Sequence, residues 1–268
     1  MSQILLCEPN LSEGRDLAII EQIVAPVRST PGVKIIDLDS DADHNRTVLT
    51  FLGAPEAVLA AANAMADVAI ELIDMSTHTG SHPRMGAIDV AAFVPIRNVS
   101  ADEAVAIAKQ FGQHLGSLGV PVYYYEDAAT RPERKSLPKI RKGQYEALPE
   151  KMLDPDFAPD AGPPCFNAKS GATITGSRFP LLAYNVNLAT TDLELATRVA
   201  KSIRESGGGF PAVRAIGLAL EAKQQVQVSM NLVDYRITAI ATVFEAIRAQ
   251  AAEAGVAVAD AELVGPVP

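Results

Sequence analysis

Apolar residues recur at two spacings along this chain, and the switches between them lay out its elements. Residues 3–9 form a short apolar run. After Ser12-Glu13-Gly14 the spacing changes, and Leu17, Ile19, Ile20, Ile23 and Val24 fall on one face of a helix predicted over 15–29. Two β-branched runs, 33–41 and 45–53, flank a polar turn and read as a hairpin. An alanine-rich helix follows from Pro55 to about residue 73, with proline at the first helical position, where no intrahelical donor is needed. A strand at 87–95 closes the unit, and a helix at 101–117 with a strand at 121–125 extends it.

Residues 126–177 show little periodicity and hold many Pro, Gly and charged residues, apart from a helix near 132–142. Irregular stretches this long are usually functional loops or linkers, and this one reads as a folded connection with a ligand-binding portion. Beyond it come strand 181–188, helix 192–205, strands 213–221 and 225–233, helix 239–254 and strand 257–264. Each half thus runs β-α-β-β-α-β, the split βαβ order of ferredoxin-like folds. The expected architecture is α+β: two ferredoxin-like βαββαβ subdomains, residues 1–178 and 179–268, with a ligand cleft between them. Sequence identity between the halves is negligible, so the repeat lies in element order alone.

At 268 residues the chain buries a sizeable core without staples. Its two cysteines, Cys7 and Cys165, lack zinc-ligand spacing and suit a reducing compartment. The N-terminus has no basic segment ahead of a long apolar run, and no window approaches the roughly 20 apolar residues that span a bilayer, so a cytoplasmic protein without membrane contact is expected. A net charge of -9 argues against nucleic acid as a partner. It leaves room for small anions, because a few arginines in a cleft act locally against the overall charge.

Several residues invite a chemical reading. His78 and His82 are four apart, as helical metal ligands often are, but Gly80 and Pro83 argue against a helix there and no HExxH glutamate intervenes, so no metal is expected. As a histidine in a Gly/Ser/Pro loop just before a strand, His82 suits proton transfer near neutral pH; the alternative is a hydrogen bond that orders the loop. Asp37, Asp39, Asp41 and Asp43 alternate before His44 and read as an acidic hairpin turn without the glycine and glutamate of a calcium loop. The stretch Gly162-Pro163-Pro164-Cys165-Phe166-Asn167-Ala168-Lys169-Ser170-Gly171 is bounded by glycines and could hold a ligand on backbone amides, yet it lacks a Walker ending. Gly207-Gly208-Gly209 reads as a turn, and Cys165 is a weak nucleophile candidate without a histidine beside it in sequence.

Taken in order, Cys7-x-Pro9-Asn10-x-Ser12-Glu13-Gly14, Asp37-x-Asp39, Asn45-Arg46-Thr47-Val48, His82-Pro83-Arg84-Met85-Gly86-Ala87-x-Asp89-Val90 and Gln144-Tyr145-Glu146-Ala147-Leu148-Pro149-Glu150-Lys151 resemble the glutamate formimidoyltransferase family. Further matches at 172–176, 185–188, 227–232 and Leu263-Val264-Gly265 carry the resemblance through to Pro268. It implies transfer of a formimidoyl group from N-formimidoylglutamate to tetrahydrofolate, a step of histidine breakdown, on a fold of two related α/β subdomains. By the same resemblance His82 is the catalytic histidine and Gly162 to Gly171 the folate-binding loop.

Chemistry then suggests the remaining roles. Expulsion of the glutamate nitrogen needs a proton, so His82 is the expected general acid, with Asp39 orienting it or accepting the N5 proton. Arg46 and Arg84 are the expected carboxylate forks, grouped with Asn10 and Asn45 as substrate-binding residues. Lys169 and Arg178 are the candidates for the folate glutamate tail. Where the family often has tryptophan this chain has Ser170, which moves the expected stacking to Phe166. The family commonly continues past the Leu-Val-Gly element whereas this chain stops at Pro268, and with no cyclodeaminase in it a separate protein is expected to process the product. The resemblance also implies a homodimer. Alternatives at this point are formyl transfer from N-formylglutamate and a folate-binding module without turnover.

Overall fold

The first helix begins where the Asp16 side chain accepts hydrogen bonds from the amides of Ala18 and Ile19, donors that would otherwise be left without partners. A computed structural model describes residues 2–264, which divide into one unit ending at Arg178 and a second beginning at Phe179. The first unit runs β1 (Ile4–Leu11), α1 (Leu17–Ser29), β2 (Lys34–Asp41), β3 (Arg46–Gly53), α2 (Pro55–Leu72), β4 (Ile88–Arg97), α3 (Ala101–Ser117), β5 (Val122–Glu126), the short helices α4 (Leu137–Arg141) and α5 (Leu148–Lys151), and β6 (Thr173–Ser177). Pro55 stands in the first turn of α2, and Ser100 with Glu103 forms a capping box on α3.

The six strands form one sheet in the order β2-β3-β1-β4-β6-β5. β3 is antiparallel to both β1 and β2, so β1 and β2 run parallel with β3 between them; β1 separates β3 from β4 in the same way. These two interleaved split βαβ units are the ferredoxin-like arrangement. β6 then joins β4 and β5 in parallel. It lies in the stretch read from sequence as irregular, because its five residues end in Gly176-Ser177 and carry no period. All five are buried, and a Cβ at Gly176 would meet the Tyr125 carbonyl oxygen, so the glycine that hides the strand from sequence reading is what lets it pack.

Helices α1 to α3 cover one face of the sheet, where Leu5, Cys7, Phe51 and Phe93 pack with Ile23, Met65 and Phe111. Side chains of this size each contribute about 1.5–3 kcal/mol on full burial. On the opposite face Val90, Ala92, Ile174, Tyr123 and Tyr125 are covered by Ile140 of α4 and Leu148 of α5. Toward the β2 edge that second face turns polar. Asp39, Val48, Asn10 and Val90 are cross-strand partners in one row, and Arg46, two residues before Val48, points the same way.

The second unit runs β7 (Leu182–Leu188), α6 (Leu193–Ile203), β8 (Val213–Leu220), β9 (Gln225–Leu232), α7 (Ile240–Glu253) and β10 (Val258–Val264). Its sheet order β10-β7-β9-β8, antiparallel throughout, repeats the β4-β1-β3-β2 order of the first unit. Val186, Val228 and Met230 pack on Val199 and Ile247 of its two helices. Gly265 and Pro268, the end of the family-like segment, lie outside the described residues.

Candidate active site

β1 is antiparallel to β3 and β4, which brings its last residues together with the first residues of β3 and the loop that enters β4. At this end of the sheet Ser12, His44, Asn45, Arg46, His78, His82, Arg84 and Asp89 line one depression. Backbone pins hold the loops: the Ser12 amide donates to Ala87 O at 2.9 Å, and the Ser12 hydroxyl to Gly86 O at 2.7 Å. Asn45 has φ 49°, a left-handed conformation that asparagine tolerates. Its Oδ1 accepts from the Gly14 amide at 3.0 Å and its Nδ2 donates to Thr79 O at 2.9 Å. Asn45 is therefore a buried brace between three loops, and it also lines the depression.

His82 Nε2 lies 2.9 Å from Arg46 Nη1. A guanidinium has only donors, so Nε2 accepts and the ring proton sits on Nδ1. Burial first, and then the charges of Arg46 and Arg141, hold the His82 pKa down at about 3. The ring is therefore neutral at physiological pH, whereas an unperturbed value was the premise for reading it as a ready acid. His44 stands edge-on to it, with ring centroids 6.0 Å apart. Asp39 makes no hydrogen bond to His82, so the carboxylate expected to orient the ring gives way to a guanidinium. Exposed on β2, Asp39 acts on Arg46 as a nearby charge and opposes the lowering of its pKa by burial.

Arg46 reaches Asn10 Oδ1 at 3.3 Å in addition to His82, both through Nη1. Among the described residues it has no ion-pair partner. Arg84 is placed differently. Its fork meets Glu146 in two contacts, Nη1 to Oε2 at 3.0 Å and Nη2 to Oε1 at 2.6 Å, and its Nε donates to His78 Nδ1 at 3.2 Å. His78 in turn meets Asn45 O through Nε2 at 3.0 Å, and burial lowers its pKa, in keeping with a neutral ring. The expectation that Arg84 grips a substrate carboxylate thus meets a fork already filled by Glu146.

The 162–171 loop is tied to this site through its backbone. Gly162 has φ 80° and Gly171 φ 65°, and at both a Cβ would collide with a carbonyl oxygen, of Val120 and Met85 respectively. Gly86 and Gly171 form a β-bridge, Ala87 N donates to Ser170 O at 2.9 Å, and Tyr145 OH donates to Ala168 O at 2.6 Å. Ser170 is buried, whereas Phe166 is partly exposed and packs on Tyr145 with ring centroids 5.4 Å apart. Cys165, Pro164 and Ala168 are exposed, and Pro163 and Asn167 partly so. Lys169 Nζ donates to Glu71 O at 2.8 Å, and Arg178 pairs with Glu8 at 3.2 Å.

Sequence reasoning passed over His44, Asp89 and Arg141. Asp89 stands within a quoted motif, but its position was invisible: Asn10 pairs with Val90 and Leu11 with Ile88, so Asp89 sits at a bulge, the irregularity that re-aims a side chain beside a site. Arg141 lies in the basic run Lys139, Arg141 and Lys142, which carried no period or motif.

Two ferredoxin-like units, the first carrying His82 against an arginine with no ion-pair partner among the described residues, define an α+β protein with a small polar depression in its first unit. A family model described as the formiminotransferase domain, N-terminal subdomain, matches residues 4–178, and one described as the formiminotransferase domain matches residues 183–268. The chain belongs to the formiminotransferase family. It is 45% identical to a glutamate formimidoyltransferase of Streptococcus pyogenes serotype M1, covering 100% of this chain and 90% of that protein. To a protein of the same name from Thermoplasma acidophilum it is 42% identical, covering 98% and 87%. Against the formimidoyltransferase-cyclodeaminase of Mus musculus identity is 48%, with the whole chain spanning 51% of that protein.

Proposed function

We propose that the protein transfers the formimidoyl group of N-formimidoyl-L-glutamate to N5 of tetrahydrofolate, giving 5-formimidoyltetrahydrofolate and glutamate. The observation that carries this reading is the neutral His82 set against the unpaired Arg46. The names of the Streptococcus and Thermoplasma relatives support it.

N5 attacks the amidine carbon and forms a tetrahedral adduct, which must lose its N5 proton and then expel the glutamate nitrogen. An amine anion is too poor a leaving group, so that nitrogen must gain a proton. A neutral imidazole performs both transfers: it accepts the N5 proton as a base, and its conjugate acid returns that proton to the leaving nitrogen. Arg46 turns from His82 Nε2 to a carboxylate of the donor when it binds, which frees the basic nitrogen. Holding both substrates in one geometry supplies a further share of the rate. The 162–171 loop holds the folate, with Phe166 as the partly exposed aromatic surface for the pterin, and the acceptor is a substrate, not a resident group.

The same reading makes this a cytoplasmic homodimer of histidine breakdown whose product passes to a separate cyclodeaminase, as befits a relative named for the transferase alone. The test is incubation of the pure protein with tetrahydrofolate and either N-formimidoylglutamate or N-formylglutamate, following the distinct folate products. Turnover of the formimidoyl donor is expected. Turnover of the formyl donor alone, or folate binding without turnover of either, overturns the assignment.

A further inference from the structure

A glutamyl donor carries two carboxylates, and both must be paired if they leave water. Arg46 offers one guanidinium, and Arg84 is closed by its two contacts with Glu146. A second cation is available in Arg141, at the end of α4, whose Ile140 packs on the same sheet face that carries Arg46 and Asn10. Its Nη2 donates to Asp89 Oδ2 at 2.6 Å, and Asp89 lines the depression that holds Arg46 and His82.

That contact is end-on: Asp89 Oδ1 accepts the Met85 amide at 2.8 Å, and of the Arg141 guanidinium only Nη2 meets the carboxylate. Neither Nε nor Nη1 of Arg141 has an acceptor among the described residues, and Nε is wholly buried. Buried donors without partners are rare in folded proteins, and each calls for an explanation such as a water, an ion or a ligand that pairs with it. An arginine whose whole task was to neutralise Asp89 would gain more from the forked geometry. Arg141 also acts as a like charge on Arg46, so two cations here favour an arriving anion.

We propose that Arg141 binds one carboxylate of the glutamyl donor while Arg46 binds the other, making Arg141 a specificity-determining residue for a dicarboxylate. This rests on the transferase reading above. Selectivity for glutamate over its amides then comes from two separate arginines, one for each carboxylate.

The test is calorimetric binding of L-glutamate, L-glutamine and L-isoglutamine to wild type, Arg141→Ala and Arg141→Lys, with transfer kinetics beside it. Arg141→Ala is expected to weaken glutamate binding on the order of 10- to 100-fold, as for loss of a hydrogen bond to a charged group. It should abolish discrimination against one of the two amides while keeping it against the other. Arg141→Lys should restore part of the affinity. Because Arg141→Ala leaves Asp89 buried and unpaired, the double variant Asp89→Asn/Arg141→Met is measured too and should show the same lost discrimination. Unchanged glutamate affinity in Arg141→Ala, or an equal loss for all three ligands, overturns the proposal. If wild type binds glutamate through Arg141 but transfers nothing, the activity reading falls and the carboxylate site stands. If wild type transfers and Arg141→Ala keeps its KM for the donor, the reverse holds.

Discussion

Nη1 of Arg46 lies 2.9 Å from Nε2 of His82, so the imidazole faces a cation and not a carboxylate. Replacing that cation should release the ring. In a pH titration followed by the His82 ring proton resonances, wild type is expected to titrate at about 3 and Arg46→Met at a clearly higher pH. The sign of the stability effect follows. Below about pH 6.5 an unfolded His82 takes up a proton that the folded ring refuses, so stability falls as pH drops from there toward the folded value. Arg46→Met should flatten that fall in denaturation measured against pH. A wild-type midpoint near the ordinary histidine value would remove the basis for the argument.

His82→Ala should leave the fold intact, because the ring is only half-buried and its side-chain partner is Arg46. At saturating concentrations of both substrates, turnover is expected to drop by about 10²–10⁴-fold, the usual contribution of a positioned acid or base. KM should move little. Turnover within a few-fold of wild type would take proton transfer away from His82.

Arg84 should show itself as a structural clasp. Its guanidinium is buried against Glu146, which is itself largely exposed, so the pair is worth less than a fully buried one. Removing Arg84 also strips His78 of a donor and loosens the loop that carries His82. Arg84→Ala is expected to lower stability by about 2 kcal/mol, midway between exposed and buried pairs. Its kcat should fall together with kcat/KM, and Glu146→Gln should reproduce part of both effects. A variant with wild-type melting temperature and a raised donor KM alone would return Arg84 to the substrate.

The twofold βαββαβ order was legible because strands and helices there alternate between clean periods of two and 3.6. β6 was not, because five residues ending in Gly176-Ser177 carry no period and become a strand only between β4 and β5. Motif order led to His82 and Arg46, but adjacency in sequence could not separate Arg46 from Arg84. The difference lies in Glu146, 62 residues away from Arg84, which closes one fork and leaves the other open. For Asp39, alternation places it on the same face, in a row with Asn10, while the hydrogen bond to His82 comes from Arg46. Arg141 is 59 residues beyond His82 and becomes its neighbour only when α4 folds back over the sheet.

Gly171 couples the 162–171 loop to the segment between His82 and β4, and its substitution separates two kinds of cost. Its φ of 65° disfavours any side chain, and a Cβ would also strike the Met85 carbonyl oxygen and the Cα of Gly86. Gly208, at φ 82° with open space around it, carries the conformational cost alone. Gly208→Ala is therefore expected to lose about 1 kcal/mol, within the usual range for a strained backbone conformation. Gly171→Ala should lose more, because the obstacle is backbone that no change of rotamer can move. If the 162–171 loop holds the folate, Gly171→Ala should also raise the KM for tetrahydrofolate while Gly208→Ala leaves it unchanged. Thermal denaturation and steady-state kinetics of the two variants check both points. Equal losses of stability would mean that the Gly86–Gly171 bridge yields to the extra methyl, and that the loop is not held against the segment between His82 and β4 as tightly as the packing requires.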